Sequence, residues 1–219
     1  MTLQYFGHPF SSYTWKGEIA LIEKGADYEF RTIDQDHAEN NARLKEIWPL
    51  FKFPALVDGD RTFFESSIII EYLDHKFSQA PRLIPDDFDS ALEVRKFDRV
   101  FDNHVMNKMT EAVADKLRPE EQQNPAILKG VKVALENVYG WLDMQLDGRE
   151  WATHYGFSLA DCAAAPSLFY ADWVHQISDK YPNLKAYRAR LLTRPSVKQC
   201  VDAARPYRPF FPLGAPDRD

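Results

Sequence analysis

Two adjacent hydroxyls, Ser11-Ser12, stand where a short strand signal over residues 3–6 gives way, after Gly7-His8-Pro9-Phe10, to a helical pattern. A helix start presents N–H groups without intrahelical partners and a partial positive charge, so it favours an anion placed against it. A serine hydroxyl at that point can donate to a thiolate sulfur and favour its charged form. The same serine can instead simply cap the helix, a contribution of about 1 kcal/mol. Pro54 is a second candidate, between Phe53 and the apolar run Ala55-Leu56-Val57. Proline lacks the donor that a strand interior needs. It fits at a strand start, or as a cis-proline that turns the Phe53 N–H and C=O outward to pair with an extended peptide ligand. Glu65-Ser66 is the third, at another strand-to-helix junction. Ser66 either caps its helix or, together with the helix start, receives a carboxylate, while Glu65 can accept from an ammonium group. None of these signals defines a site alone. They gain weight in a fold that brings the three loops to one sheet edge.

The first third of the chain supplies such a fold. Helical periodicity begins at Ser12, with Trp15, Ile19 and Ile22 recurring on one face and Gly25 placed to end the helix. Residues 28–33 alternate as a strand and residues 38–47 look helical. The runs 55–57 and 62–64 flank Asp58-Gly59, a hairpin turn signal. Residues 66–77 close this part as a helix. The order βαβ, α, β-hairpin, α is the thioredoxin arrangement. Residues 78–87, with Pro81 and Pro85, read as a linker. Beyond it only helices are predicted, over residues 89–116, 125–146, 158–174, 183–192 and 196–204, with Pro166 expected to kink or interrupt its helix. The proline-rich stretch 205–219 is expected to be extended, with Tyr207, Phe210 and Phe211 packed on the protein. These signals predict an α/β thioredoxin-like domain over residues 1–77 and an all-α domain over residues 88–219.

Composition narrows the function classes. The chain has 219 residues, 45% of them hydrophobic, enough for a sizeable core. Its net charge of -6 argues against nucleic acid as a partner. No run approaches the ~20 apolar residues of a membrane span, and the start lacks the basic n-region of a signal peptide. Cys162 and Cys200 form no CxxC or metal-spaced cluster, and the histidines show no HExxH pattern, so no metal is expected. A cytoplasmic setting follows as the expectation.

The motifs together resemble those of a known family. Ser11-Ser12-x-x-Trp15-Lys16, followed by Ile19-Ala20-Leu21, resembles the SSCxWR motif and first helix of zeta-class glutathione transferases. Phe53-Pro54-Ala55-Leu56 resembles the family's xPxL segment and Glu65-Ser66 its ES pair. Phe157-Ser158-Leu159-Ala160-Asp161 resembles the capping box of its helical domain. The resemblance implies an enzyme that activates glutathione as co-substrate and adds it to a small hydrophobic electrophile, working as a homodimer. It implies Ser11 or Ser12 as the thiol activator, Ser11 aligning better, and Phe53, Pro54, Glu65 and Ser66 as glutathione-binding residues. Tyr5 is the rival activator, since other classes place a tyrosine at the end of the first strand. Tyr13 stands where zeta members have cysteine and Lys16 where they have arginine, which puts maleylacetoacetate isomerase activity in doubt. A non-catalytic binding protein on the same fold is the alternative of another class. Met106, Met109, Tyr170 and Trp173 either line the co-substrate pocket or pack helices, and Phe51 and Phe63 are the surface candidates for dimerisation.

Overall fold

The computed structural model describes residues 2–219. Strand β1 (Leu3–Gly7) pairs in parallel with β2 (Tyr28–Thr32) and antiparallel with β3 (Ala55–Asp58), which pairs antiparallel with β4 (Arg61–Phe64). The sheet order is β2-β1-β3-β4. Alternation along β1 sends side chains to two faces. Leu3 and Tyr5 join the larger core with Trp15, Ile19 and Ile69, whereas Phe6 packs with Ile33, Leu44, Ala55 and Val57 on the other side. Helices α1 (Ser12–Glu23) and α3 (Ser66–Lys76) therefore cover one face and α2 (Ala38–Ile47) the other. Gly25, at φ 59, closes α1 in the left-handed region where glycine carries no Cβ penalty. Gly17 is needed for a different reason: a Cβ there would lie 2.3 Å from the Tyr5 hydroxyl.

The rest of the described chain is helical. Helix α7 (Leu159–Val174) is buried along its whole length and packs against α1, with Trp15 set against Phe169 at 4.9 Å between ring centroids. Its start is the expected capping box, in which Asp161 accepts from the Ser158 N–H at 2.9 Å and its hydroxyl at 3.0 Å. The crossing segment is tied down by Asp74, which accepts from the Leu83 and Ile84 N–H groups and pairs with Lys24 at 2.5 Å. Helices α6 (Pro125–Gln145), α8 (Pro182–Thr193) and α9 (Pro195–Ala204) complete the bundle.

Two expectations fail here, and of the two outcomes expected at Pro166 interruption is excluded. Residues 89–116 are not one helix: α4 (Phe88–Val100) passes through a π-helical turn, Phe101–Met106, into α5 (Asn107–Lys116). At the wide turn the Phe101 carbonyl lies 3.4 Å from the Ser167 hydroxyl of α7, whose single proton goes to the Ala163 carbonyl at 2.7 Å. Pro166 does not interrupt α7. The carbonyl it deprives of a donor is that of Cys162, and packing on every side of the helix holds it in register. The tail is not extended. A 3-10 helix, Arg205–Phe210, begins it, and Arg208 then draws the chain back by donating to the Pro216 and Arg218 carbonyls at 2.5 and 2.6 Å. Phe211 is buried against Tyr170 and Trp173, as tail packing requires, but Phe210 is exposed.

Candidate active site

A cleft of about 660 Å³ runs between the sheet edge and α4–α5. Phe53, Pro54, Glu65 and Ser66 line one wall, with Ser67 beside them. Arg99, Asp102, Asn103 and Asn107 line the other, and Tyr13 closes the end nearest α1. Four of the six expected site residues thus meet in one cavity. The Phe53–Pro54 bond is cis, and no backbone hydrogen bond among the described residues engages the Phe53 N–H or C=O. Glu65 sits at φ 65, ψ 117, a left-handed φ that costs a non-glycine residue about 1–3 kcal/mol and tends to persist at ligand clamps. It precedes α3, so the first N–H groups of that helix, beginning with buried Ser66, face the cleft without intrahelical partners.

Ser11 and Ser12 do not line the cleft. Ser11 is the N-cap of α1, and its Oγ accepts from the Thr14 N–H at 3.3 Å. The loop before it is set by the Ser11 N–H, which donates to the His8 carbonyl at 2.9 Å, and by His8 Nδ1, which accepts from the Phe10 N–H at 3.0 Å. Capping consumes only a lone pair of the Ser11 oxygen, so the hydroxyl proton stays available to another acceptor. Tyr5 is in a different position. It is fully buried, donates to the Thr14 carbonyl at 2.7 Å, and has its phenol pushed well up by burial and by the Glu18 charge. It cannot reach a ligand in the cleft. Met106, Met109, Tyr170 and Trp173 are all buried in the main core, outside the cleft lining, so the packing alternative holds for them. The Tyr170 hydroxyl donates to the Phe10 carbonyl at 2.9 Å and braces the loop that leads to Ser11.

No local signal announces the charge cluster beneath the cleft. Lys16, 1% exposed, contacts Asp98 at 2.5 Å and Asp102 at 2.7 Å, and donates to the Ser67 hydroxyl at 2.9 Å. Arg99 reaches both carboxylates and Ser67 at 2.6 Å. Burial raises the Asp102 carboxyl, against the pull of Lys16. The only hint in the sequence is the i, i+4 spacing of Asp98 and Asp102 on one helix face, and their partner lies more than eighty residues away. Lys16 is therefore a strut between the two parts of the chain, with no free valence for a substrate carboxylate. Phe63 is likewise occupied, stacked on Tyr72 at 3.8 Å with Arg61 over its ring, whereas Phe51 and Leu50 are exposed.

A βαβ-α-ββ-α unit with a cis-proline and a helix N-terminus at one end of its sheet, walled by helices, is a thioredoxin-like domain joined to an all-α one. The chain matches the description "Glutathione S-transferase, N-terminal domain" over residues 6–81 and "Glutathione S-transferase, C-terminal domain" over residues 104–195. It belongs to the glutathione transferase family. It is 28% identical over 216 residues to glutathione S-transferase F6 of Arabidopsis thaliana, covering 91% of this chain and 99% of that protein. Over 77 residues, 35% of this chain and 36% of the other, it is 42% identical to a probable maleylacetoacetate isomerase of Caenorhabditis elegans. A glutathione S-transferase of Methylobacillus flagellatus, solved with glutathione bound, superimposes with a TM-score of 0.81 at 28% identity, covering 91% of this chain and 98% of that one.

Proposed function

We propose that this protein is a transferase that activates the glutathione thiol and adds it to a small hydrophobic electrophile. The observation that carries the reading is the convergence of the Phe53 backbone, Glu65 and the α3 N-terminus on one cleft with the start of α1 at its end. The peptide backbone of glutathione would pair with Phe53 as an added strand. Its γ-glutamyl carboxylate would take the Ser66 end of α3 and its ammonium group the Glu65 carboxylate. The sulfur then falls towards Ser11, whose capping role leaves its proton free to donate. Proximity and thiol activation are all that the addition asks of the protein. Ultraviolet titration of the glutathione complex tests this directly. A thiolate band should appear with an apparent pKa one to two units below the ordinary thiol value of ~8.5. Binding without that shift would leave the non-catalytic alternative standing.

The glutathione-dependent isomerase reading is favoured by the N-terminal likeness to the probable maleylacetoacetate isomerase. Against it stand Tyr13 in place of the motif cysteine and the buried ion pairs that occupy Lys16. Turnover of maleylacetoacetate at a rate comparable to conjugation would reverse that preference.

Two further outcomes follow from the transferase reading. Cys162 and Cys200 are buried, and burial pushes both thiols far up. Replacing both with alanine should leave glutathione conjugation within about twofold of the parent while lowering stability by roughly 1–2 kcal/mol through lost packing. A folded double variant without conjugation would refute a role for the serine hydroxyl alone. The second outcome concerns assembly as a cytoplasmic homodimer, with exposed Leu50 and Phe51 of one copy meeting the helical part of the other. Sedimentation should give a dimer at micromolar concentration, and Phe51→Asp should shift it towards monomer.

A further inference from the structure

Tyr13 and Asn107 meet at the end of the cleft from opposite parts of the chain, and the thiol chemistry above uses neither. Tyr13 lies in the first turn of α1, two residues past Ser11. Asn107 opens α5, immediately after the π-helical turn that resets the direction of the helix. The Tyr13 hydroxyl donates to Asn107 Oδ1 at 3.0 Å, and both residues line the cavity. Tyr13 keeps its proton at any working pH, because burial, reinforced by the Asp102 carboxylate, pushes the phenol up to about 12. An amide whose oxygen is engaged by a phenol turns its Nδ2 edge the other way, and that edge carries only donors. Among the described residues no acceptor takes those N–H groups.

We propose that the Asn107 amide donates to an acceptor oxygen of the electrophile and so favours α,β-unsaturated carbonyl compounds over alkyl halides, with Tyr13 as the positioning residue that holds the amide. The inference rests on the transferase reading above. In the addition, the thiol proton leaves to solvent and a sulfur electron pair forms the C–S bond at the β-carbon. The C=C pair moves to the α-carbon–carbonyl bond and the carbonyl π pair moves onto oxygen, giving an enolate. A proton from solvent then adds at the α-carbon. Charge develops on the oxygen only in the transition state, where a fixed amide donor is most effective. An alkyl halide expels its leaving group with the bonding pair and places no charge on oxygen, so the same amide contributes little.

The test compares kcat on an α,β-unsaturated ketone and an alkyl halide of similar size, in the parent protein and in Asn107→Leu, Asn107→Asp and Tyr13→Phe. Asn107 is exposed, so the variants should keep the fold, which circular dichroism checks. Loss of a buried oxyanion donor costs roughly 10²–10³ in kcat, and a solvated one should cost less, about tenfold. Both Asn107 variants should lose about that factor on the ketone and stay within about twofold on the halide. Asn107→Asp is the sharper of the two, because it keeps an acceptor for Tyr13 while removing the donors. Tyr13→Phe should move the ratio in the same direction by about threefold. Equal losses on both electrophiles, or an unchanged ratio, would overturn the inference and leave the transferase reading intact. If the parent protein conjugates neither electrophile, the transferase reading fails and this inference with it.

Discussion

Lys16→Met is expected to cost the fold about 3–5 kcal/mol, because removing one member of a buried ion pair leaves its partners charged and unpaired. Asp98 and Asp102 are both nearly inaccessible, and among the described residues Arg99, half of whose side chain is exposed, is the only other cation touching them. The cluster links α1 to α4, so its loss should loosen the contact between the two parts of the chain as well as the local helix ends. Urea unfolding followed by tryptophan fluorescence measures the loss. Its pH dependence supplies a second check. Without Lys16 the Asp102 carboxyl, already raised by burial, should titrate higher still, because the nearby charge that lowers it is gone. Groups whose folded pKa lies above the unfolded value bind more protons when folded, so the variant should gain stability as pH falls through that raised range. The gap to the parent should therefore narrow on acidification. Adding Asp98→Asn and Asp102→Asn should recover part of the loss at neutral pH, since neutral partners no longer leave buried charge. A penalty below about 1 kcal/mol, independent of pH, would mean that the pairs are as weak as surface ones.

The contrast between this cluster and the cleft shows what local signals can carry. The α1 start, the Asp58-Gly59 hairpin and the Glu65-Ser66 junction were legible because each depends on residues within a few positions: a capping side chain, a turn dipeptide, a change of period. Phe53-Pro54 could be singled out because proline conflicts with the strand that follows it. The break at Phe101–Met106 was not legible, since the apolar period of the flanking helices is unbroken and the wide turn is set by α7 packing against it. The fold-back of the tail depends on Arg208 reaching carbonyls eight and ten residues on, which composition cannot foretell. Met106, Met109, Tyr170 and Trp173 fit a pocket and a core equally well by residue type, and only the packing decided between them. Lys16 was visible only as a departure from a motif. Its two partners made it structural.

Ser11→Ala should lower kcat by about 10²-fold, the cost of removing one donor to a developing or held negative charge. It should also raise the apparent pKa of bound glutathione by about one unit, worth ~1.4 kcal/mol, with the remainder of the activation left to the start of α1. The glutathione Kd should change little, because affinity resides at the other end of the cleft. Since Ser11 also caps α1, the same substitution should cost about 1 kcal/mol of stability, and a weaker helix start could by itself disturb the site. Ser11→Asp separates the two roles. Aspartate caps as well as serine, so α1 should be retained, yet it offers no donor and sets a carboxylate against the sulfur. Its thiolate pKa should therefore rise further than in Ser11→Ala while its unfolding midpoint stays closer to that of the parent. Ser12→Ala, which removes a hydroxyl at the first helical position, should have a milder effect than Ser11→Ala. Tyr5→Phe should lose only a buried hydrogen bond to Thr14 and keep the thiolate band. Glu65→Ala reports on the opposite end, where it should raise the glutathione KM more than it lowers kcat, the signature of binding energy shared by ground and transition states. Should the thiolate survive in Ser11→Ala and vanish in Ser12→Ala, the sulfur sits one residue further along α1 than proposed. Survival in both Ser11→Asp and Ser12→Ala would have a harsher meaning: neither hydroxyl activates the thiol, and the helix start with its backbone N–H groups does so alone.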